Sequence, residues 1–224
     1  MSWLFLLCAL LACLAWYTAR PGFFLARWRA HGGAILRAAG LAEADAPQVA
    51  QALAAALHGD AGALVQVTQT APPRPAFNEK EITHMADVAG LYALARAVTG
   101  GLALALLVLS VPAVCSARRG GMARLAKGAL WGALDVALLL LALGVWAALD
   151  FRAPFWLFHR LAFTNDLWLL DPRTDLLIRL MPQSFFEETL LRVAALWLFC
   201  LALWCGAAAA LIAKGKRGNG RATL

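Results

Sequence analysis

Two histidines are the side chains of this sequence best suited to moving protons. His84 lies within Phe77-Asn78-Glu79-Lys80-Glu81-Ile82-Thr83-His84-Met85-Ala86-Asp87-Val88. On a helix Glu81, His84 and Asp87 fall at i, i+3 and i+6 and share a face about 120° wide. A carboxylate within reach of an imidazole fixes its tautomer and raises its pKa. His159 stands amid Phe155, Trp156, Phe158 and Phe163, an apolar setting with no structural duty of its own. Two imidazoles at one depth, with carboxylates and Asn165 nearby, make an acid–base site. Structural readings stand beside this one. Asn78 and Glu81 have the spacing of an N-cap and its capping-box partner, and a histidine among aromatics also serves as a plain interface residue.

The elements that hold these groups follow from composition. Of 224 residues 62% are hydrophobic and only 15% charged, whereas a soluble domain is about 25% charged. A disordered tail, a disulfide scaffold and most soluble folds are thereby excluded. Four apolar runs, at about 2–19, 98–116, 129–149 and 190–213, each have the length to cross a bilayer as a helix. The expected fold is an all-α polytopic membrane protein of one domain, residues 1–224. It has four transmembrane helices and a small extracellular cap made by segments 20–96 and 150–188.

Charge placement gives the orientation. Arg118, Arg119, Arg124 and Lys127 fall between the second and third runs, and Lys214, Lys216, Arg217 and Arg221 follow the fourth, with no acid among them. Segment 20–96 holds seven basic and six acidic residues, and segment 150–188 four and six. Cations concentrate in short cytoplasmic loops, so both termini and the 117–128 loop are expected inside. The net charge of +7 is then a record of topology, and no nucleic-acid partner is expected. The first run lacks a preceding cation and stays apolar past Cys13, so it reads as a retained helix rather than a cleaved signal. Cys8, Cys13, Cys115, Cys200 and Cys205 all fall in or beside spans, which leaves no external thiol nucleophile.

Within the outer segments, residues 21–70 read as helices plus a short strand at Leu64–Thr68, and Ala71-Pro72-Pro73-Arg74-Pro75 as a rigid turn. His31 and His58, beside glycines, read as bland surface residues. Asp171-Pro172 has the form of a helix N-cap with proline at the first helical position. Pro182 ends that helix, and Ser184 with Glu187 reads as a capping box opening the fourth span.

These residues also carry a resemblance. Asn78 to Val88 matches the "NEREIxHMxDV" stretch of the lipoprotein intramolecular transacylase family. Phe158-His159 through Asn165-Asp166-Leu167-Trp168-Leu169-Leu170-Asp171-Pro172-Arg173-Thr174-Asp175-Leu176-Leu177-Ile178, then Pro182 and Phe185-Phe186, matches its "FHxxFFxNDxWLLDPxTDxLIxxxPxxFF" stretch. Departures are small: Ala162 replaces an aromatic, and Gln183 a frequent Glu. The resemblance covers nearly the whole chain and implies a plasma-membrane enzyme of monoderm bacteria. Its substrate would be a diacylglyceryl-modified lipoprotein with a free N-terminal cysteine. The sn-2 acyl chain would pass to that cysteine's α-amino group, giving the lyso form. The family's catalytic histidines fall on His84 and His159.

That reaction fits the residues. The amine, with a pKa near 7.7–8.0, must lose a proton, the oxyanion must be stabilised and the glycerol alkoxide must gain a proton. The substrate supplies the nucleophile, in keeping with the lack of an external Cys and of a G-x-S-x-G elbow. Asn78, Glu79, Glu81, Asp87, Asn165, Trp168, Asp171 and Asp175 are expected to support or bind, and Phe155, Phe158, Phe163, Phe185 and Phe186 to shape an acyl groove. No cofactor and no metal are expected, and the protein should act as a monomer among membrane lipids. Two other classes stay open: a metal-dependent membrane hydrolase using the same histidines, and a non-enzymatic membrane chaperone or scaffold.

Overall fold

The computed structural model describes residues 2–70, 73–116 and 119–220. Of the features expected above, Ala71, Pro72, Arg118 and Arg221 lie outside these residues.

The first apolar run forms α1 (Ser2–Ala12) and loosens into a π-helical turn, Cys13–Tyr17. Thr18 ends it. Its hydroxyl donates to the Leu14 carbonyl at 2.5 Å and lies 2.6 Å from the Tyr92 hydroxyl. Arg20 is extended, as a residue before proline prefers, and Pro21 opens α2 (Pro21–Ala30) from its first position. The chain thus bends by 80° and leaves the bundle for the cap.

Three longer helices complete the bundle: α6 (Glu79–Ser116), α7 (Arg119–Leu149) and α10 (Gln183–Gly220). All three are long and apolar enough to cross a membrane; Ser2–Tyr17 passes that test only together with the bent Pro21–Ala30. Arg124 and Lys127 sit on α7 rather than in the expected loop, because α7 already begins at Arg119. With 38 residues α6 is about 57 Å long. The hydrocarbon core needs only about 30 Å, so the polar first turns that carry His84 extend beyond it.

Inside the bundle Leu6, Ala133, Val136 and Trp197 are buried together. The Trp197 indole donates to the Leu6 carbonyl at 2.9 Å, and the Ser2 hydroxyl to the Ala129 carbonyl at 2.8 Å. Here α1 and α7 approach closely at Gly132, where a Cβ would meet the Ser2 Cβ at 3.0 Å.

The cap contains α3 (Ala34–Ala39), α4 (Ala46–Leu57), α5 (Gly62–Val65), a two-stranded sheet, α8 (Arg152–Ala162) and α9 (Leu176–Leu180). Its core gathers Phe24, Trp28, Val49, Leu53, Leu64, Leu176 and Leu180 from both outer segments. The Trp28 indole reaches the Leu180 carbonyl at 3.0 Å. Three local expectations are corrected. The strand is Thr68–Thr70 (β1), because Leu64 and Val65 belong to α5. It pairs antiparallel with Pro73–Pro75 (β2), in the segment expected to be only a turn, an edge position where missing N–H groups are tolerated. Ser184 opens no capping box; α10 starts one residue earlier and Gln183 donates its amide to Glu187 at 2.7 Å.

Gly132 tests the bundle packing. Gly132→Val should cost about 1–3 kcal/mol through overpacking against α1. Gly128→Val, whose Cβ would meet nothing within 4 Å, should leave stability nearly unchanged. Unfolding in mixed detergent micelles compares the two.

Candidate active site

The start of α6 is fixed by its own side chains and by a distant helix. Asn78 Oδ1 accepts the Glu81 N–H at 3.0 Å, and Glu81 Oε2 accepts the Asn78 N–H at 2.9 Å. This is the reciprocal capping box read from the spacing. The other oxygen of Glu81 accepts the Leu177 N–H at 2.6 Å, one of the unpaired donors at the start of α9. Glu81 is 1% exposed, so its carboxylate closes two helix ends at once. Asp171 therefore does not cap α9, contrary to expectation. It closes a turn instead, bonded by the Arg173 N–H at 2.9 Å and by its guanidinium. The Arg173 side chain and N–H hold the Asp171 carboxyl down at about 2.

Asp175 completes this joint. Its buried carboxylate accepts from the Asn78 amide at 2.9 Å, the Asp171 N–H at 2.8 Å and the Thr174 hydroxyl at 2.8 Å. Burial pushes its pKa up, but these bonds and the Lys80 ammonium 3.8 Å away outweigh it and hold the group below its usual value.

One turn along α6, His84 meets His159. The ring centroids are 6.3 Å apart with planes inclined by 30°, and the residues are 7% and 9% exposed. Aromatics enclose the pair. Phe163 lies 5.1 Å from His84 and 5.5 Å from His159. Phe155, Phe158 and Trp168 lie 4.1, 5.2 and 5.0 Å from His159.

His159 Nδ1 lies 2.8 Å from the Phe155 carbonyl, one turn back on α8. A carbonyl only accepts, so this contact assigns the proton to Nδ1 and leaves the Nε2 lone pair free in the neutral ring. Burial lowers the pKa of His159, only partly offset by that bond. His84 Nδ1 is buried and has no hydrogen-bond partner among the described residues, which is uncommon for a buried polar atom.

The expected site residues divide into groups. Asp87 bears on the pair through Asn165, whose amide donates to it at 2.9 Å. That bond fastens the loop carrying Phe163 and Trp168 to α6. Asn78, Glu81, Asp171 and Asp175 form the joint one turn away and do not touch the imidazoles. The Glu79 side chain is exposed on the first turn. Phe186 reaches the pair through Phe155 at 5.4 Å. Phe185 turns away, 3% exposed, against Phe23 and Phe24 in the cap core.

Sequence reasoning missed some residues. Lys80 donates to the Leu169 carbonyl at 2.5 Å beside Asp175. His31 is no bland surface residue: it lies 2.8 Å from Glu188, which also pairs with buried Arg27. His58 reaches the Ala19 carbonyl at 3.0 Å. No local signal marks these, since each joins residues far apart in the chain. Among the described residues, no three His, Cys, Asp or Glu side chains gather to hold a metal ion.

Comparison with known proteins decides the family. The sequence model of the lipoprotein intramolecular transacylase family, Lit, matches residues 1–186. The chain belongs to that family. It is accordingly a membrane enzyme that transfers acyl groups on lipoproteins. The solved structure of the membrane-integral lipoprotein intramolecular transacylase Lit from Bacillus cereus shares the fold, at a TM-score of 0.73 and 18% identity over 96% of this chain and 94% of that one. Two variants of that protein, with one histidine replaced by arginine or by alanine, superpose at a TM-score of 0.69, also at 18% identity. They cover 96% of this chain and 91% and 92% of theirs. No curated protein matches the sequence significantly.

Two outcomes follow from this geometry. The lowered pKa of His159 means the unfolded chain binds more protons below about pH 6.5, so this residue's contribution to stability falls as pH drops. Titration of isotope-labelled histidines by NMR should place the His159 midpoint below 6.5, and a midpoint at or above that value contradicts its burial. Glu81→Ala removes acceptors from two N–H groups, each worth about 1–3 kcal/mol when left unpaired. A clear drop in the micellar unfolding midpoint checks it.

Proposed function

We propose that the His84–His159 pair moves the sn-2 acyl chain of a diacylglyceryl-modified lipoprotein to the α-amino group of its own N-terminal cysteine. The observation carrying this reading is the pair itself: two buried imidazoles 6.3 Å apart. One of them, His84, keeps its Nδ1 without a hydrogen-bond partner among the described residues.

In the proposed reaction the substrate amine attacks the ester carbonyl carbon. His159 Nε2 takes the proton from the nitrogen, since the Phe155 carbonyl holds the proton on Nδ1. Burial supports this role by keeping the ring neutral and ready as a base near pH 7. Collapse of the tetrahedral intermediate re-forms the carbonyl and breaks the bond to the glycerol oxygen. That oxygen leaves with the proton that His159 took from the amine, and the amide forms. His84 faces the same space and donates a hydrogen bond to the oxyanion or to the leaving oxygen. The ring centroids are 6.3 Å apart, close enough for one ester group at the rim of the pair to be reached by both imidazoles.

Amine and ester belong to one molecule, so holding them together lowers the barrier through effective molarity. The aromatic wall excludes water, which would otherwise compete for the ester. Phe155, Phe158, Phe163 and Phe186 line the acyl chain's path, and Asn165 with Asp87 holds the loop over it. The charge pattern supports cytoplasmic termini and a site at the extracellular face of a bacterial plasma membrane. The protein works there as a monomer on lipoproteins.

Mass spectrometry of lipoprotein N-terminal peptides tests the reading, in cells lacking other lipoprotein N-acylation. Wild type should convert the S-diacylglyceryl form to the N-acyl, S-monoacylglyceryl form. His84→Ala and His159→Ala should each lose roughly 100-fold or more in conversion, the scale of general acid–base catalysis. Full conversion by both folded variants would overturn the role of the pair.

A further inference from the structure

We infer that Lys80 is a positioning residue for the histidine pair: by holding the Leu169 carbonyl it straps residues 163–169 across both imidazoles and seats the Trp168 ring on His159. The effect on acyl transfer rests on the transacylase reading; the strap itself does not.

Residues 163–169 belong to no helix or strand, yet they supply Phe163 and Trp168 to the wall around the pair. Without a ladder of its own, such a segment keeps its place through attachments to its neighbours. Here the attachments lace α8 to α6. The Phe163 N–H donates to the His159 carbonyl at 3.0 Å and closes the end of α8. Asn165 then reaches Asp87 of α6 at 2.9 Å. Trp168 turns back to α8, its ring 5.0 Å from Trp156 and 5.0 Å from His159. Leu169 returns to α6, where its carbonyl accepts from the Lys80 ammonium at 2.5 Å.

On α6 the two anchors bracket His84. Lys80 precedes it by four residues and Asp87 follows it by three. At 100° per residue all three side chains fall within about 60° of one face, and the anchors stand about 10 Å apart along the axis. The strap therefore passes over His84. That placement matters because the buried His84 Nδ1 has no hydrogen-bond partner among the described residues. No bond at that atom fixes the ring, so packing has to do it. Phe163, inside the strap, meets the ring edge-on at 5.1 Å. Both anchors are charge-assisted, one through a cation and the other through a carboxylate. Asp175, 3.8 Å from the ammonium, steadies the lysine. Lys80 thus acts through Phe163 and Trp168, and the two anchors of one strap should behave as a unit.

Two substitutions test this. Lys80→Met keeps the length and removes the charged donor, while Lys80→Arg keeps both charge and donor. In selectively labelled protein in micelles, a nuclear Overhauser contact between the Trp168 indole and the His159 imidazole reports the seating of the ring. Lys80→Met should fold, lose that contact, and slow lipoprotein conversion roughly 10- to 100-fold, the scale of a displacement of about 1 Å. Lys80→Arg should regain both. A merely structural lysine would lower the unfolding midpoint and leave the contact unchanged in the folded protein. Asn165→Ala provides a second arm. It should weaken the same contact, and the double variant should lose less than the product of the two single losses. An intact contact in folded Lys80→Met, no recovery with Arg, or fully multiplicative losses overturns the inference. If Lys80→Met does not fold, Lys80→Gln, which keeps a neutral donor, carries the same test. The contact is read without substrate. Wild type that shows it but converts no lipoprotein would sink the transacylase reading alone, whereas an unchanged contact in the folded variant beside normal wild-type conversion would sink the strap alone.

Discussion

The carboxylate of Glu81 is shared between two helix starts, and the site is built outward from that sharing. Helix N-termini leave donors that must be paired when buried. Glu81 pairs its own turn through Asn78 and the α9 turn through Leu177. The cap segment between the third span and α10 is thereby bolted to α6 one turn from His84. Asp175 and Lys80 reinforce the joint on its solvent side. Moving either helix would strand a buried charge as well as buried N–H groups, so the arrangement has little freedom to drift.

That rigidity matters because the histidines come from opposite sides of the joint. His84 rides on α6 and His159 on α8, 75 residues apart in the chain. Their spacing is set by rigid helices and by Phe163 wedged against both rings. In the proposed reaction the substrate carries its own amine, so the protein supplies geometry, a dry wall, one neutral base and one hydrogen-bond donor. Aromatic enclosure serves the first three, since it fixes the rings, excludes water and weakens protonation of His159.

The cap is also why a membrane enzyme of this size can hold a polar centre. Its core of Phe24, Trp28, Leu53, Leu176 and Leu180 resembles that of a soluble domain, while the bundle below exposes leucines all round. The polar groups of the site lie between these two apolar bodies. There the aromatic side chains around His84 and His159 enclose them.

Much of this was legible in the sequence. Apolar runs marked the spanning helices because hydropathy is a local property, and the Asn78–Glu81 spacing marked a capping box because that device closes within one turn. The motifs around His84 and His159 marked the family. Local spacing misled where a partner was distant. Asp171-Pro172 has the form of a cap, yet Glu81, 96 residues away from Leu177, does the capping. Phe185 and Phe186 are adjacent and equivalent in sequence, and packing sends one into the cap core and the other toward the histidines. His31 found Glu188, and the proline segment found a strand. The sequence by itself determined which residues are helical, which are apolar and which can move protons, because those depend on neighbours a few residues away. Only the tertiary structure decided which imidazole faces which, and which nitrogen is free. Those depend on how helices far apart in the chain pack, and burial alone sets the dielectric in which they act.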